Sequence, residues 1–491
     1  MTSANQSHAI RNYVDGEWRA PSGDVGETVV DSATGETVTS VPFSTAADVD
    51  EAVAAGRRAF EEWSATPIEE RIQPLFELKR LLEAHQDDLA ETLVREHGKV
   101  LDEARGELRR GIENVEVALG APSLMQAGHL QNAAPEIDET AVRKPLGVFA
   151  AITPFNFPGM IPLWFMPYAV ATGNAFVLKP SEKTPMTAGH ILELVDEAGF
   201  PDGVIQLVNG GPDTVNALLE HGGIEGVSFV GSTPVAKHVY EEAAANGKRV
   251  QAQGGAKNHV VVAESADLGF AVEQTLGSAF ANTGQRCLAN PVAVVVDAVY
   301  DEFSDRLASA AREMTVGPGL ESGVDMGPVV SAAHRERIEE YVETGVEEGG
   351  ELLVDGRDHD LPAEGHFLGP TVFGDVDPEA TIAREEIFGP VLALLRAEDL
   401  DHAIDLVNRS DYGNAASLFT RQGADARRFR HEVDAGNLGV NVGTAAPMAF
   451  FHFGGWDDSF FGDLHAQGED VIRFYTDEAV YIERWPDATS S

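Results

Sequence analysis

The 491-residue chain contains a single cysteine, Cys287, so an internal disulfide is impossible and a disulfide-stapled secreted scaffold is excluded. Lysine is also scarce, because only eight of the 35 basic residues are lysines and none follows Lys257. No apolar run approaches the length of a membrane span, and the first residues lack a signal-peptide pattern. We therefore expect a soluble, cytoplasmic protein.

The excess of acidic residues is the strongest compositional feature. Asp and Glu outnumber Lys and Arg by 80 to 35, which gives a formal net charge of −45. Such a charge repels nucleic-acid phosphates and anionic membranes, so neither is an expected partner. The molecule also repels itself, and concentrated salt would screen that repulsion. The composition resembles that of proteins from halophilic organisms, and an acidic mesophilic enzyme is the alternative.

The length predicts two or three domains, and the apolar pattern indicates their class. A hairpin signal at Asp15-Gly16 opens the chain, and Thr45 with Asp48 resembles a capping box before a long helical region. From about residue 146, short apolar runs alternate with amphipathic helices, which is typical of parallel sheets. The runs cover 148–152, 175–178, 204–208, 227–230 and 260–263, then 292–296, 391–395 and 415–419. The pattern predicts an α/β protein with two such domains.

Two segments at the ends of apolar runs carry residues suited to a dinucleotide. Gly231 and Ser232 lie between a short run and a helix, where they suit either a pyrophosphate or an ordinary capped helix. Lys179 and Glu182 follow another run and suit either the hydroxyls of a ribose or a solvated turn. The usual G-x-G-x-x-G fingerprint is absent.

A third segment, residues 282–287, places the only cysteine in a glycine-containing turn. Arg286 favours the Cys287 thiolate electrostatically, and the thiolate is the nucleophilic form. The alternative is a small buried core residue, which is the commoner state of a lone cysteine.

These segments occur together in an order that resembles the aldehyde dehydrogenase superfamily from about residue 10 to 485. The matching segments are 154–158 (PFNFP), 178–182 (LKPSE), 229–232 (FVGS), 284–287 (GQRC) and 385–390 (EEIFGP). The resemblance implies the aldehyde dehydrogenase fold. In that fold, 1–128 and 147–256 form a Rossmann-like NAD-binding domain, 257–470 an α/β catalytic domain, and 129–146 with 471–491 a small β oligomerisation element. It further implies an aldehyde substrate, no metal, and a homo-oligomer, either a dimer or a tetramer.

The resemblance also assigns roles to individual residues. Cys287 is the implied nucleophile, and Asn156 with the Cys287 backbone N–H is the implied donor set for the oxyanion. Glu182 accepts ribose hydroxyls and repels a 2′-phosphate, which favours NAD over NADP. The other implied cofactor contacts are Thr153, Phe155, Lys179, Lys183, Gly231, Ser232, Glu386 and Phe388.

One position separates this chain from those aldehyde dehydrogenases that release the acyl group by hydrolysis. Gln253 stands where they carry the glutamate that activates water, and an amide cannot accept a proton at neutral pH. A thiol such as coenzyme A is then expected to release the acyl group. With the local matches at 110–113, 255–259, 447–451 and 459–465, this resembles the CoA-acylating methylmalonate-semialdehyde dehydrogenase branch. Asp457 departs from that branch, which usually has lysine there, and we attribute the change to surface adaptation.

In that branch, arginines equivalent to Arg110 and Arg286 are candidates for binding the substrate carboxylate, since a guanidinium binds carboxylates through two hydrogen bonds. The expected function is NAD-dependent oxidation of malonate or methylmalonate semialdehyde to acetyl-CoA or propionyl-CoA with loss of CO2, through a thioester on Cys287. Two alternatives stay open. One is a CoA-independent dehydrogenase that converts another aldehyde to its acid, and the other is a non-enzymatic protein that retains the fold.

Overall fold

The computed structural model describes residues 9–485. Up to residue 253 the strands are β1 (Asn12–Val14), β2 (Glu17–Arg19), β3 (Val25–Val30), β4 (Thr37–Pro42), β5 (His129–Ala134), β6 (Ile137–Pro145), β7 (Val148–Ile152), β8 (Ala175–Lys179), β9 (Ile205–Leu207), β10 (Ile224–Val230) and β11 (Arg249–Gln253). The helices are α1 (Ala46–Trp63), α2 (Ile68–Arg71), α3 (Gln73–Ala84), α4 (Gln86–His97), α5 (Leu101–Ala118), α6 (Ala121–Leu124), α7 (Ile161–Ala171), α8 (Pro185–Glu197), α9 (Pro212–Glu220) and α10 (Thr233–Ala245).

After residue 253 the strands are β12 (His259–Val262), β13 (Val292–Val296), β14 (Glu351–Val354), β15 (Thr371–Gly374), β16 (Val391–Ala397), β17 (Tyr412–Gly413), β18 (Ala415–Phe419), β19 (Asn437–Val440), β20 (Trp456–Asp457), β21 (Phe460–Gly462) and β22 (Thr476–Glu483). The helices are α11 (Leu268–Phe280), α12 (Asp297–Arg312), α13 (Ala332–Glu347), α14 (Thr381–Arg384), α15 (Leu400–Asn408), α16 (Gly423–Glu432) and α17 (Gly468–Phe474). Short 3-10 turns lie at Ala281–Gly284 and Gly356–Asp358.

The first sheet has the strand order β2-β1-β9-β8-β7-β10-β11-β21. Strands β9, β8, β7, β10 and β11 run parallel, and β1 and β21 pair antiparallel with the two ends of this group. Every residue of β7 and β8 is buried, as expected for strands covered on both faces. Because the strands are parallel, β7, β8, β10 and β11 end at the same edge of the sheet, where ligands bind in such folds.

The second sheet has the order β14-β15-β16-β13-β12-β18-β19 and is parallel except for β14. Its strands include the apolar runs expected after Cys287, so the predicted second α/β unit is present. The α/β fold class predicted from the sequence is confirmed. Separate hydrophobic clusters pack against the faces of each sheet.

A smaller sheet has the order β22-β6-β5 and joins the expected excursion near 129–146 to the C-terminal strand. The strand begins only at Thr476, later than the predicted residue 471, because residues 471–474 belong to helix α17. Phe474 and Tyr475 end that turn and pack on Phe149 of β7, with ring centroids 5.6 Å and 4.8 Å apart. This aromatic contact stabilises the helical turn against an extension of β22.

Local signals near the N-terminus were predicted correctly. Asp15 and Gly16 adopt positive φ angles of 56° and 75° in the β1–β2 turn. The Thr45 backbone N–H donates to Asp48 Oδ2 at 2.7 Å in the capping box of α1. No helix within residues 9–485 has the length and apolar character needed to cross a membrane.

Candidate active site

The loop that carries Cys287 follows α11 and has an unusual backbone. Asn282 and Thr283 have φ angles of 54° and 55°, and Gly284 has a φ of 69°. A Cβ on Gly284 would lie 2.2 Å from the carbonyl oxygen of Gly389, so only glycine fits at this position. We name residues 281–287 the nucleophile loop. Its strained backbone is typical of a functional site.

Two buried amides fix the backbone of the nucleophile. Asn258 Nδ2 and Asn414 Nδ2 donate to the carbonyl oxygen of Cys287 at 2.8 Å and 2.7 Å. Asn258 also donates to the carbonyl oxygen of Ala289 at 2.7 Å and accepts the backbone N–H of Ala415. The residues that precede β12 and β18 therefore fix the backbone carbonyl of Cys287, whereas its side chain is not held by these bonds.

Burial dominates the electrostatics of the thiol. It raises the pKa of Cys287 from 9.0 to about 11, while the charge of Arg286 lowers it and that of Glu386 raises it. The backbone N–H groups of Cys287 and Leu288 also act to lower this pKa. Arg286 thus acts in the direction expected from the sequence, but desolvation outweighs it and the resting side chain is a thiol at neutral pH.

Asn156 lies on the loop after β7, which we name the oxyanion loop (residues 156–160). Its Nδ2 donates to the carbonyl oxygen of Gln285 at 3.0 Å, so the loop meets the nucleophile loop directly. The side chain is 3 % exposed. An amide nitrogen carries two N–H donors, and the second is left for a ligand.

A cavity of about 380 Å³ opens beside Cys287. Its walls include Arg110 and Arg286, and aromatic side chains contributed by Phe157, Trp164 and Phe453. Of the two arginines proposed to bind a carboxylate, Arg110 is already engaged, since it donates to Glu113 at 2.6 Å and to the carbonyl oxygen of Pro447.

Arg286 is the arginine with donors to spare. Within residues 9–485 its guanidinium makes no hydrogen bond or salt bridge, although it interacts electrostatically with Glu103, Cys287 and Lys99. Burial lowers the pKa of Arg286, yet an arginine stays protonated at any physiological pH. The cavity therefore contains a positively charged guanidinium with free N–H donors beside the nucleophile.

The edge of the first sheet brings together the residues proposed to bind the cofactor. Lys179 ends β8 and its Nζ lies 3.3 Å from Glu182 Oε2. Thr153 follows β7, and its buried Oγ1 has no hydrogen-bond partner within the described chain. Ser232 is the N-cap of α10 and its side chain makes no capping bond. These free hydroxyls and the helix N-terminus fit the phosphates of a dinucleotide.

Further proposed cofactor contacts fall in the same region. A Cβ on Gly231 would lie 2.5 Å from the ring of Phe229, so the turn into α10 is tight. Lys183 Nζ lies 5.7 Å from the centroid of Phe155, whose ring meets that of Phe388 edge-on at 5.8 Å.

Glu386 and Phe388 reach the site from the other sheet. The Glu386 Oε1 accepts the backbone N–H of Ala256 at 2.8 Å, and burial raises the pKa of Glu386 to about 7. Phe388 has a φ of 61°, and His334 Nε2 lies 2.8 Å from its carbonyl oxygen. Arg337 donates to the carbonyl oxygens of Glu386 and Ile387, both at 3.1 Å. Helix α13 thus fixes this loop opposite the first sheet.

Gln253 ends β11 and is 3 % exposed. Its Nε2 has no hydrogen-bond partner among the described residues. A buried, unpaired amide donor costs free energy unless a ligand or water satisfies it. The position expected for a general base therefore offers a hydrogen-bond donor and no basic group.

Several residues that shape this site were not predicted from the sequence. Asn258 lay within a quoted motif, 255–259, and its polar side chain next to a buried strand was the available signal. Asn414 is 127 residues from Cys287 along the chain, and no local pattern marks it. Lys99 and Glu107 form a fully buried pair at the cavity wall, and neither lies in a segment that the sequence marked as a motif.

The chain belongs to the aldehyde dehydrogenase family, whose model matches residues 18–480. Among curated proteins, it is 49 % identical over 486 residues to malonate-semialdehyde dehydrogenase 1 of Geobacillus thermodenitrificans, covering 99 % of this chain and 100 % of that protein. It is 46 % identical over 485 residues to malonate-semialdehyde dehydrogenase of Halalkalibacterium halodurans, with the same coverage of both chains.

The chain is also similar in structure to solved proteins of this kind. The methylmalonate-semialdehyde dehydrogenase of Oceanimonas doudoroffii matches with a TM-score of 0.96 and 44 % identity, covering 98 % of this chain and 99 % of that one. A Sinorhizobium meliloti protein complexed with NAD, provisionally named methylmalonate-semialdehyde dehydrogenase, matches with a TM-score of 0.97 and 41 % identity. Coverage there is 99 % of this chain and 100 % of that one.

Proposed function

We propose that this protein oxidises malonate or methylmalonate semialdehyde with NAD, and transfers the product acyl group to coenzyme A with loss of CO2. The observation that carries the proposal is the cavity in which a single cysteine, Cys287, lies beside the guanidinium of Arg286, which no described residue pairs. An aldehyde with a carboxylate two bonds away satisfies both groups at once. The names of the full-length relatives support the same substrate class.

Cofactor binding is assigned to the edge of the first sheet and the Glu386 loop. Lys179 and Glu182 would hold the adenosine ribose, and Thr153, Gly231 and Ser232 would hold the pyrophosphate. NAD, when bound, supplies an acceptor for the hydride that leaves the substrate carbon. The Glu386 carboxylate would accept hydroxyls of the second ribose.

The chemistry itself is assigned to residues of the two loops. The ionised fraction of Cys287, whose thiol proton has passed to solvent, attacks the aldehyde carbon, and the carbonyl π electrons move to oxygen. The free N–H of Asn156 and the backbone N–H of Cys287 then stabilise the alkoxide, which is typically a large contribution to catalysis. Loss of hydride from the same carbon re-forms the carbonyl and leaves a thioester on Cys287.

Arg286 would hold the substrate's carboxylate through charge-assisted hydrogen bonds. When the bond between the α-carbon and this carboxylate breaks, CO2 leaves, and its electron pair forms an enolate that the Asn156 donor stabilises. A proton then adds to the α-carbon. Arg110 is a weaker candidate for this role, because its donors already bind Glu113 and Pro447.

Release of the acyl group is assigned to coenzyme A because Gln253 cannot activate water. The coenzyme A thiol loses its proton to solvent and its sulfur bonds to the thioester carbon. The bond from that carbon to Sγ then breaks, so that Cys287 leaves as a thiolate, which a solvent proton returns to the resting thiol. A thiol has a pKa nearer to neutrality than water has, so it needs less help from a base.

The test is NADH formation from methylmalonate semialdehyde with and without coenzyme A, with propionyl-CoA measured in parallel. Strict dependence on coenzyme A with stoichiometric propionyl-CoA is the expected result. Equal rates without coenzyme A, with release of a free acid, would refute the acyl-transfer assignment. The Cys287→Ala variant is the control, and it should form no NADH.

We also propose that the protein is a cytoplasmic homo-oligomer, a dimer or tetramer. A nucleophilic thiol persists in a reducing compartment, which supports the cytoplasm. The edge strand β22 exposes Val480, Tyr481 and Ile482 at 59 %, 43 % and 67 %, and Trp485 follows at 80 %. An exposed apolar edge of this kind invites pairing with another chain. Light scattering on wild type and Ile482→Glu should show association that the substitution weakens.

Adaptation to concentrated salt is a further proposal about the source of the chain. The net charge of −45 supports it. A surface arginine can form ion pairs with several carboxylates at once. Arg396 does so with Asp297, Asp301 and Asp375, at 2.8 Å, 2.9 Å and 3.1 Å. Salt would screen the carboxylates that such arginines leave uncompensated.

A further inference from the structure

A buried ion pair lies directly beneath the oxyanion loop. The Nζ of Lys99 donates to Glu107 Oε2 at 2.6 Å and to the backbone carbonyl oxygen of Asn156 at 2.7 Å. Both side chains are completely inaccessible to solvent. Such a pair is often replaceable by apolar residues without loss of stability, so its presence needs a reason other than stability.

The second oxygen of the same carboxylate holds the rest of the oxyanion loop. Glu107 Oε1 accepts the backbone N–H groups of Gly159 and Met160 at 2.7 Å and 3.1 Å. Together, Lys99 and Glu107 bond to both ends of the loop that carries the Asn156 amide. Moving either side chain would move that amide relative to the nucleophile.

One helical turn earlier, a second carboxylate holds the nucleophile loop. Glu103 Oε1 accepts the backbone N–H of Asn282 at 2.7 Å, and its other oxygen accepts the N–H of Val100 at 3.3 Å. Asn282 has the positive φ of 54°, a conformation that costs free energy unless its surroundings fix it. Its side-chain Nδ2 donates to the carbonyl oxygens of Asn156 and Gln285 at 3.3 Å and 3.0 Å.

Positions 103 and 107 are four residues apart, so both carboxylates project from one face of α5. That face lines the cavity beside Cys287 and Arg286. The two loops approach the same face from β7 on one side and α11 on the other, and the Asn156–Gln285 hydrogen bond joins them. A single rigid helix thus controls the distance between the oxyanion donor and the nucleophile.

We propose that Lys99, Glu103 and Glu107 form a clamp that holds the oxyanion loop and the nucleophile loop in register, and that all three are positioning residues for the reaction at Cys287. The inference rests on the proposed oxidation at Cys287. It adds residues that do not touch substrate but set the geometry of those that do. Misplacement of an oxyanion donor by about 1 Å is enough to slow such a reaction about 100-fold.

The first experiment removes the ion pair without leaving a lone buried charge. The double variant Lys99→Met/Glu107→Gln keeps the volume of both side chains, and Asp102→Asn is the control, since Asp102 lies on the same helix with its side chain 95 % exposed. The NADH burst in a single turnover should be roughly 10- to 100-fold slower in the double variant. The KM for the aldehyde and the Kd for NAD should stay within about twofold. An unchanged burst in a folded double variant would overturn the clamp.

The second experiment separates the hydrogen bond of Glu103 from its charge. Glu103→Gln keeps an acceptor for the Asn282 N–H, whereas Glu103→Leu removes it. The burst should therefore be largely retained in the glutamine variant and about tenfold slower in the leucine variant. Equal bursts in the two variants would overturn the assignment of Glu103.

A third measurement keeps this inference distinct from the proposed function. If the wild type forms no NADH with any aldehyde, the proposed function fails. The clamp is then tested by the rate at which iodoacetamide alkylates Cys287, which needs no turnover. Glu103→Leu should change that rate several-fold relative to Asp102→Asn, because the nucleophile loop loses its anchor. The same rate in both variants would overturn the clamp.

Discussion

The reactivity of Cys287 toward an alkylating reagent follows directly from its burial. The pKa of about 11, against an unshifted value of 9.0, means that about one thiol in a thousand is ionised at pH 8. An unshifted thiol would be ionised about one time in ten at the same pH. Since the thiolate is the reacting form, iodoacetamide should modify the free enzyme about 100-fold more slowly than a small-molecule thiol of pKa 9.

The assay is direct because Cys287 is the only cysteine. The second-order rate constant, measured by intact-protein mass spectrometry, should rise about tenfold per pH unit from pH 7 to 10, without a plateau. Arg286→Gln should slow alkylation further at every pH, because the arginine charge lowers the pKa of the thiol. Arg109→Gln, a surface arginine paired with Glu116, is the matched control and should leave the profile unchanged.

A plateau beginning near pH 7 or 8 would refute the reasoning. It would show that Arg286 and the backbone N–H groups outweigh desolvation and that the resting enzyme holds a thiolate. An unchanged profile in Arg286→Gln would show that the guanidinium does not act on the sulfur.

Three further predictions concern the acyl group, the substrate's carboxylate and salt. Gln253→Glu should allow slow NADH turnover without coenzyme A, seen as free acid by mass spectrometry, whereas turnover that still depends fully on coenzyme A would contradict the role given to Gln253. Arg286→Gln should lower kcat/KM for the semialdehyde roughly 10- to 100-fold, from the loss of a charged hydrogen bond of about 1.5–3 kcal/mol. The same substitution should lower kcat/KM for propanal, which lacks the carboxylate, much less. Equal losses of kcat/KM for the two aldehydes would refute a contact between Arg286 and the carboxylate. The melting temperature should rise with KCl concentration but not with a neutral osmolyte at equal osmolality, and equal effects would argue against charge screening.

The positions of residues at strand ends were predictable from the sequence. Thr153, Lys179 and Gly231 each follow a short apolar run, and parallel pairing necessarily brings such positions to one edge. The sequence therefore placed these positions at one edge of the sheet, and the binding of a cofactor by them stays a prediction.

Contacts between distant segments were not predictable in this way. Asn414 binds the Cys287 carbonyl across 127 positions, and no spacing rule connects the two. The direction in which the pKa of Cys287 shifts could not be predicted either. The sequence shows that Arg286 is its neighbour, but desolvation of the thiol depends on the whole surrounding structure. Arg110 was expected to be free for a carboxylate, and its bond to the Pro447 carbonyl depends on a chain reversal more than 300 residues later.

The scarcity of lysine in the sequence is a signal from which part of the clamp could have been predicted. Four of the eight lysines are buried, namely Lys99, Lys179, Lys248 and Lys257. Lysine is among the residues least often buried, so this fraction is far above expectation. Each of the four binds a backbone carbonyl or a carboxylate inside the protein. Where lysines are scarce overall, half of those that remain are buried, so in such a composition a lysine is a better marker of a buried contact than it is in an ordinary protein. By that reasoning Lys99 deserved the same notice in the sequence as Lys179, although it matches no cofactor motif.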